Sequence, residues 1–403
     1  IEYKRFMVFI GSQGTGKSTL AKLWTIFNDT FWWLNVYNED NPIAEFKVMG
    51  IDNYFKDDSE LEYTNGVVNI KYHKGNFSIS SDIADYDQLK IILREFVFSS
   101  IRNTASKLGV PEDKIEESLK ERKNLALFRS NNHLLCYVPA ERNMGVLMGS
   151  SLANLMLYNI PLSQRLLEYM ALVERAQASM PEYDASFLGV KYIRKEGANI
   201  LVDQKNGKYL RIDECSSGIQ NALPLLMLLE YATNDQTFDN FVVEEPEQNL
   251  FPDNQRELLN RLVAITKRKK TSGMIINTHS PYLLSSLNIC ILAYKISQDK
   301  MLKDEVCKIL PAEYHISTED VGVYALNYSE EEYCHNLIDE KTGLIAGNFL
   351  DSASDVISSD FNILYKFKIM LNCSINTSNS KVIGTKHNIY MFSLHLIYAI
   401  PYI

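Results

Sequence analysis

The run Gly11-Ser12-Gln13-Gly14-Thr15-Gly16-Lys17-Ser18-Thr19 follows directly on the apolar stretch Phe6–Ile10 and leads into the helix-compatible residues Leu20–Phe27. A strand that ends in a glycine-rich turn and feeds a helix aims several backbone N–H groups and a helix N-terminus at one anion. The pattern therefore dictates a strand, loop and helix around a phosphate group, with Lys17 reaching the β- and γ-phosphates of a nucleoside triphosphate and the Ser18 hydroxyl ligating Mg²⁺. A chain of 403 residues, 46% of them hydrophobic, is long enough to bury one large or two modest cores around such a unit.

The formal charge of -9 argues against a uniformly basic coat for nucleic acid and leaves only local basic patches, such as Lys267-Arg268-Lys269-Lys270, for that role. The competing reading of this run is a helix end, where cations suit the dipole. Six cysteines, at 136, 215, 290, 307, 334 and 373, form no C-x-x-C pair and no metal-ligand spacing with histidine, so they read as reduced thiols in a cytoplasmic protein. No apolar run reaches the length of a membrane span. The opening Ile1, in place of Met, predicts that the natural start lies upstream.

Turn signals at Asn65-Gly66 and Lys74-Gly75 within residues 61–80 predict a small antiparallel meander. Helical periodicity follows at 91–99 and 112–128, then a short buried strand at Leu134–Val138 and helices at 147–158 and 162–179. From Gly189 to Ile212 strands return, with a hairpin turn at Lys205–Lys208. Helix at 219–231, strand at 241–243, helix at 253–267 and strand at 274–277 alternate, which predicts an α/β fold with a largely parallel sheet. The expected organisation is a nucleotide-binding core from segments 1–40 and 187–330, an inserted β-meander and helical lobe at 41–186, a C-terminal helical segment at 331–366 and an atypical tail at 367–403. The tail is set apart because no acidic residue occurs after Asp360.

Three further stretches suit chemistry at a γ-phosphate. Phe241-Val242-Val243 ends in Glu244-Glu245-Pro246-Glu247, so a buried strand can deliver one carboxylate to the Mg²⁺ shell and the next to an attacking water. Ser216-Ser217-Gly218-Ile219-Gln220 opens a helix and offers hydroxyls and a helix N-terminus. Asn277-Thr278-His279-Ser280-Pro281 places a histidine after a buried strand. Each also has a structural reading: an acidic surface turn, a helix cap and a strand-end histidine.

In this order, the loop, Ser-Ser-Gly-x-Gln, strand-Glu-Glu and strand-His resemble the ATP-binding-cassette ATPases. The text Val138-Pro139-Ala140-Glu141-Arg142, with Glu244–Glu247 and Thr278–Pro281, is similar to the non-transporter branch that includes SMC and RecF proteins and the AAA-type ATPases near the abortive-infection AbiEii and OLD groups. The resemblance implies a P-loop NTPase fold of this type, with a mixed or parallel sheet, an antiparallel β subdomain and an inserted helical lobe. It implies that Gly11–Thr19 is the Walker A loop, that Ser216, Ser217, Gly218 and Gln220 form a signature contacting ATP on the opposite subunit, and that Ser18 and Glu244 hold Mg²⁺. It further implies that Glu245 is the catalytic base, His279 the switch histidine, and Glu247–Leu250 a loop touching the opposite subunit. Glu141 or Arg142 stands near the place of the family's coupling-loop glutamine, and Glu244 replaces the commoner aspartate.

The implied activity is ATP hydrolysis to ADP and phosphate, driving a homodimer that closes on ATP and Mg²⁺, in phage defence or DNA-end handling. Neither a strand ending in Glu-Gly nor a later Asp-x-Asp follows Asn288, so an effector such as a nuclease or toxin is expected as a separate partner, with nucleic acid a further candidate. Two other readings stay open: a P-loop kinase of a small molecule, and a non-hydrolysing, nucleotide-gated regulatory module.

Overall fold

The apolar runs that the sequence places at strand spacing assemble into one twisted layer. The computed structural model describes residues 1–28, 44–64, 69–80, 135–148, 157–158, 162–234, 238, 240–270, 272–329, 331–346 and 360–366. Strands Phe6–Ile10 (β1), Leu135–Val138 (β5), Asn240–Glu244 (β10), Gly273–Thr278 (β11) and Val321–Leu326 (β12) run parallel. With the antiparallel strand Cys334–Asn336 (β13) they form a six-stranded sheet in the order β13-β12-β1-β11-β10-β5. Almost every residue of the five parallel strands is buried, as continuous Val/Ile/Phe/Met runs covered on both faces require. The fold is thus α/β with a mixed, mostly parallel sheet, as the alternation of strand and helix predicts.

The connections bring helices onto the faces. Lys17–Phe27 (α1) follows β1, and Ala44–Val48 (α2) follows it in the described chain. Asn143–Met148 (α3), Gln164–Ser179 (α4) and Ser217–Asn234 (α5) lie between β5 and β10 in sequence. Pro252–Lys267 (α6), Pro281–Ile296 (α7) and Lys303–Ile309 (α8) complete the set used below. Helix α5 is apolar nearly all round and buried nearly all round, the expected pairing for a central helix.

Two antiparallel sheets flank the layer. Glu60–Thr64 (β2), Asn69–His73 (β3) and Asn76–Ser80 (β4) form the predicted meander. Its Ile70 joins Ile26 and Phe27 of α1 and Phe46 of α2 in one apolar cluster, with Tyr63 and Phe77 packed against it. The second sheet contains Glu182–Ala185 (β6), Val190–Lys195 (β7), Ala198–Asp203 (β8) and Tyr209–Leu210 (β9). Its Val190, Tyr192 and Leu201 pack on Leu223 and Met227 of α5, so this sheet sets the position of the helix that begins at Ser217.

Two boundaries differ from the sequence reading. Strand β5, assigned there to the inserted segment 41–186, pairs with β10 and closes one edge of the main sheet, and α4 packs on it and on α5. Residues 331–346, assigned to a helical segment, form β13 and a bridge between Ile338 and Ile345. The backbone groups of β10 and β12 would otherwise lie unpaired along those edges. The chain divides into two compact units, Ile1–Ala346 and Gly347–Ile403, and residues 360–366 of the second are helical. The helices predicted at 91–99 and 112–128, most of that at 147–158, and the tail 367–403 lie outside the described residues.

Candidate functional site

The glycine-rich loop turns where β1 meets the carbonyl end of β12. A Cβ on Gly11 would lie 2.6 Å from the Leu326 carbonyl oxygen, so only glycine lets the loop start that close to the neighbouring strand. Lys17, buried at the start of α1, curls back into the loop: its Nζ donates to the Gly11 carbonyl at 2.9 Å and the Ser12 carbonyl at 2.7 Å. Thr15 Oγ1 donates to the Ser12 carbonyl at 2.9 Å and tightens the same turn. Burial lowers the Lys17 pKa, while the charges of Glu245, Glu244 and Glu247 act the other way. Ser12, Gln13, Gly14 and Ser18 are exposed, and Gly16 and Thr19 are half-buried at the helix start.

Strand β11 lies between β1 and β10 and is in register with both, with Asn277 opposite Phe9 on one side and Glu244 on the other. This places the carboxylates at the end of β10 on the same rim as the loop. Glu244 is 5% exposed, and its Oε1 has no hydrogen-bond partner. Burial raises its pKa, opposed by hydrogen bonds with Tyr137 and Ser18 and by the charge of Lys22. A buried carboxylate oxygen without a partner, beside a serine hydroxyl from the loop, is a set of hard oxygen donors that fits Mg²⁺. Ser18 and Glu244 would hold the ion.

Glu245 adopts φ 43°, a left-handed conformation unfavourable for a residue with a side chain. Three bonds hold it there. Its N–H donates to the Asn277 carbonyl at 2.8 Å, Arg142 Nη2 donates to its carbonyl at 2.6 Å, and Gln248 Nε2 donates to its Oε2 at 2.8 Å. The other oxygen, Oε1, lies 3.6 Å from His279 Nε2. Both side chains are about one-third exposed, at 35% for Glu245 and 33% for His279, so the pair is reachable from solvent.

The residues beneath this pair are committed to holding it. Arg142, 1% exposed, spends its guanidinium on backbone, with Nη1 donating to the Glu244 carbonyl at 2.7 Å and Nε to the Asn221 carbonyl at 3.4 Å. Glu247 is buried and its Oε1 accepts from Thr278 Oγ1 at 2.5 Å and from the His279 N–H at 3.1 Å. Ser280 caps α7 by accepting from the Tyr282 and Leu283 N–H groups and donates to Gln255 Oε1 at 2.5 Å. The sequence reading named Glu141 or Arg142 for the place of the coupling-loop glutamine, held Gln248 only as part of the Glu247–Leu250 loop and Asn277 only as the residue ahead of Thr278 and His279, and gave Tyr137 no role. The only signal for them was their place just after or within apolar strands.

Two expectations for the signature and the loop after β10 need correction. Gln220, expected to contact nucleotide across subunits, is buried, and its Nε2 donates to the Asp213 and Cys215 carbonyls at 3.2 and 2.9 Å, closing the turn ahead of α5. Ser216 and Ser217 are exposed, and Gly218 is buried where a Cβ would come 2.6 Å from the Asn249 carbonyl. Of Glu247–Leu250, expected to face the opposite subunit, Glu247 and Leu250 are buried and Asn249 alone is exposed. A carboxylate that satisfies two donors under His279 cannot also face outward. In the basic run, Lys267 ends α6 and donates to the Ala312 carbonyl at 2.8 Å, and Arg268 pairs with Glu230, which favours the helix-end reading for both.

Residues 162–284 match the profile of the AAA ATPase domain. That stretch contains Ser216–Gln220, Glu244, Glu245 and His279. No curated protein matches the chain. Among solved structures, an SMC head bound to the C-winged-helix domain of ScpA is similar at TM-score 0.42 and 10% identity, over 84% of this chain and 92% of that one. The SMC head domain from Thermotoga maritima is similar at TM-score 0.34 and 13% identity, over 70% of this chain and 83% of that one. The Smc head domain with an extended coiled coil, bound to the C-terminal domain of ScpA from Pyrococcus furiosus, is similar at TM-score 0.38 and 12% identity, over 89% and 93%. Among the described residues no helix is long and apolar enough to cross a membrane.

Proposed function

We propose that this protein is an ATP-hydrolysing switch whose site is assembled on one rim of the parallel sheet. The observation that carries the reading is the meeting of four elements there: the loop with Lys17 and Ser18, Glu244 with an unpartnered buried oxygen, and Glu245 facing His279. Loop amides and Lys17 bind the phosphate chain. Bound Mg²⁺ would supply charge neutralisation at the β- and γ-phosphates. Glu245 Oε1 accepts a proton from a water whose oxygen attacks the γ-phosphorus, the bond to the bridging oxygen breaks, and ADP and phosphate leave. His279 steadies that water or the phosphate, with its own backbone fixed by Glu247.

The switch works as a homodimer. The exposed hydroxyls of Ser216 and Ser217, at the start of α5, hydrogen-bond no described residue of their own chain, which suits a contact to nucleotide held by a second copy. The resemblance of Val138–Arg142, Glu244–Glu247 and Thr278–Pro281 to defence-associated ATPases supports a setting in phage defence or DNA-end handling, with a separate effector as partner. Fold-level analogy is the warrant for that setting.

Phosphate release tests the activity. Wild-type protein with Mg·ATP is expected to release inorganic phosphate, and Glu245→Gln to lower the rate by about 10² to 10⁴-fold while still binding ATP. Undiminished hydrolysis by Glu245→Gln would remove Glu245 from its role. A second reading, phosphoryl transfer to a small molecule, draws on a cleft of about 530 Å³ lined by Ala140, Glu141, Asn143, Glu245, Gln248 and Asn249. It predicts a phosphorylated acceptor in place of free phosphate.

A further inference from the structure

The position of the carboxylates fixes which way a nucleotide lies across the sheet. Strand β1, which carries the loop, has β11 on one side and β12 on the other. The groups that face a terminal phosphate, Glu244 and Glu245, stand on the β11 and β10 side. The phosphate chain therefore runs from them across the loop, and the nucleoside leaves on the opposite side, over the turn that joins β12 to β13.

Tyr333 waits on that side. Its hydroxyl donates to the Thr15 carbonyl of the loop at 3.0 Å, and a Cβ at Gly16 would lie 3.8 Å from the same hydroxyl. The residue is nonetheless 57% exposed, so the side chain is tethered at its tip while more than half of the residue meets solvent. Its backbone is equally fixed. The Tyr333 carbonyl accepts from the Asn327 N–H at 2.5 Å, and the Glu332 carbonyl accepts from the Ser329 N–H at 3.0 Å. Tyr328 stacks on His335 with centroids 4.2 Å apart, and His335 Nδ1 meets Glu332 Oε2 at 2.8 Å. A tyrosine tied to a phosphate-binding loop yet more than half exposed keeps aromatic surface free to stack, and a ring held in advance costs little entropy on stacking.

We propose that Tyr333 is the nucleoside-binding residue of this site, stacking its ring on the base of the triphosphate held by Gly11–Thr19. The inference rests on the reading of that loop as a nucleotide site. Stacking uses the π-face common to every base, so ATP and GTP bind within a few-fold of one another.

Calorimetric titration with ATP and with inorganic triphosphate, each with Mg²⁺, tests it. Tyr333→Ala is expected to weaken ATP about tenfold or more, the size of one base–aromatic contact, and to leave triphosphate within about twofold. Tyr333→Phe, which keeps the ring and loses the tether, is expected to retain most of the ATP affinity. Equal weakening of both ligands by Tyr333→Ala, unchanged ATP binding, or a Tyr333→Phe loss as large as that of Tyr333→Ala would each overturn the assignment. Wild-type protein that binds neither ligand would instead overturn the nucleotide-site reading itself, and triphosphate binding by Tyr333→Ala doubles as the check that the variant is folded.

Discussion

At the end of β10, Glu244 is buried with one carboxylate oxygen unpartnered, and that burial raises its pKa against the pull of Tyr137, Ser18 and Lys22. A carboxyl raised in the fold keeps its proton to higher pH than the unfolded chain does. The native state therefore loses stability as pH climbs from the ordinary value of 4.5 through the raised one. Glu244→Gln removes that loss. Without metal or nucleotide, the variant is expected to melt above wild type at about pH 8, and the gap is expected to close toward about pH 4, where both side chains are neutral. Mg·ATP should then raise the melting temperature of wild type and do little for the variant, because the carboxylate proposed to receive the ion is gone. A variant less stable than wild type across this range would mean that Glu244 is satisfied within its own chain. Glu245 shows the other cost of a site, a left-handed backbone held by Asn277, Arg142 and Gln248.

Between elements, the strut that matters most is Arg142, in the turn after β5, whose guanidinium reaches the carbonyls of Glu244 and Glu245 at the end of β10 and of Asn221 in α5. Arg142→Met would leave those buried carbonyls without their donor and is expected to cost about 3 kcal/mol in denaturant unfolding, together with most of the hydrolysis. Full activity with a small stability loss would show that the backbone at Glu245 holds itself. The sequence announced some of this framework and hid the rest for physical reasons. β1, β10 and β11 were legible because continuous apolar runs ending in glycine, carboxylate or histidine have few other uses, and α5 and α6 because apolar periodicity persists over several turns. Strand β5 was seen as a strand, but four apolar residues carry no mark of the sheet they join. Strand β13 escaped notice because Cys334-His335-Asn336 lacks alternation and is stabilised chiefly by the edge of β12. At the site, the chemical types at Lys17, Ser18, Glu244, Glu245 and His279 could be read from spacing. The inward turn of Gln220 and the burial of Glu247 could not, since both depend on carbonyls and hydroxyls brought near by the fold.

At the scale of the molecule, the described sheet presents one rim with the loop, the carboxylates and His279, while the start of α5 offers serine hydroxyls that hydrogen-bond no described residue. In the proposed switch, those serines would meet a triphosphate held by a second copy related by twofold symmetry. Hydrolysis would then act as the release, since losing the γ-phosphate would remove what the opposing serines are proposed to hold. The most direct test is the solution mass of Glu245→Gln by light scattering, with and without Mg·ATP. The account predicts a shift from monomer to dimer with nucleotide, abolished by Lys17→Ala, which loses the phosphate contact, and by Ser217→Arg, which blocks the serine face. A nucleotide-bound protein that stays monomeric would contradict it.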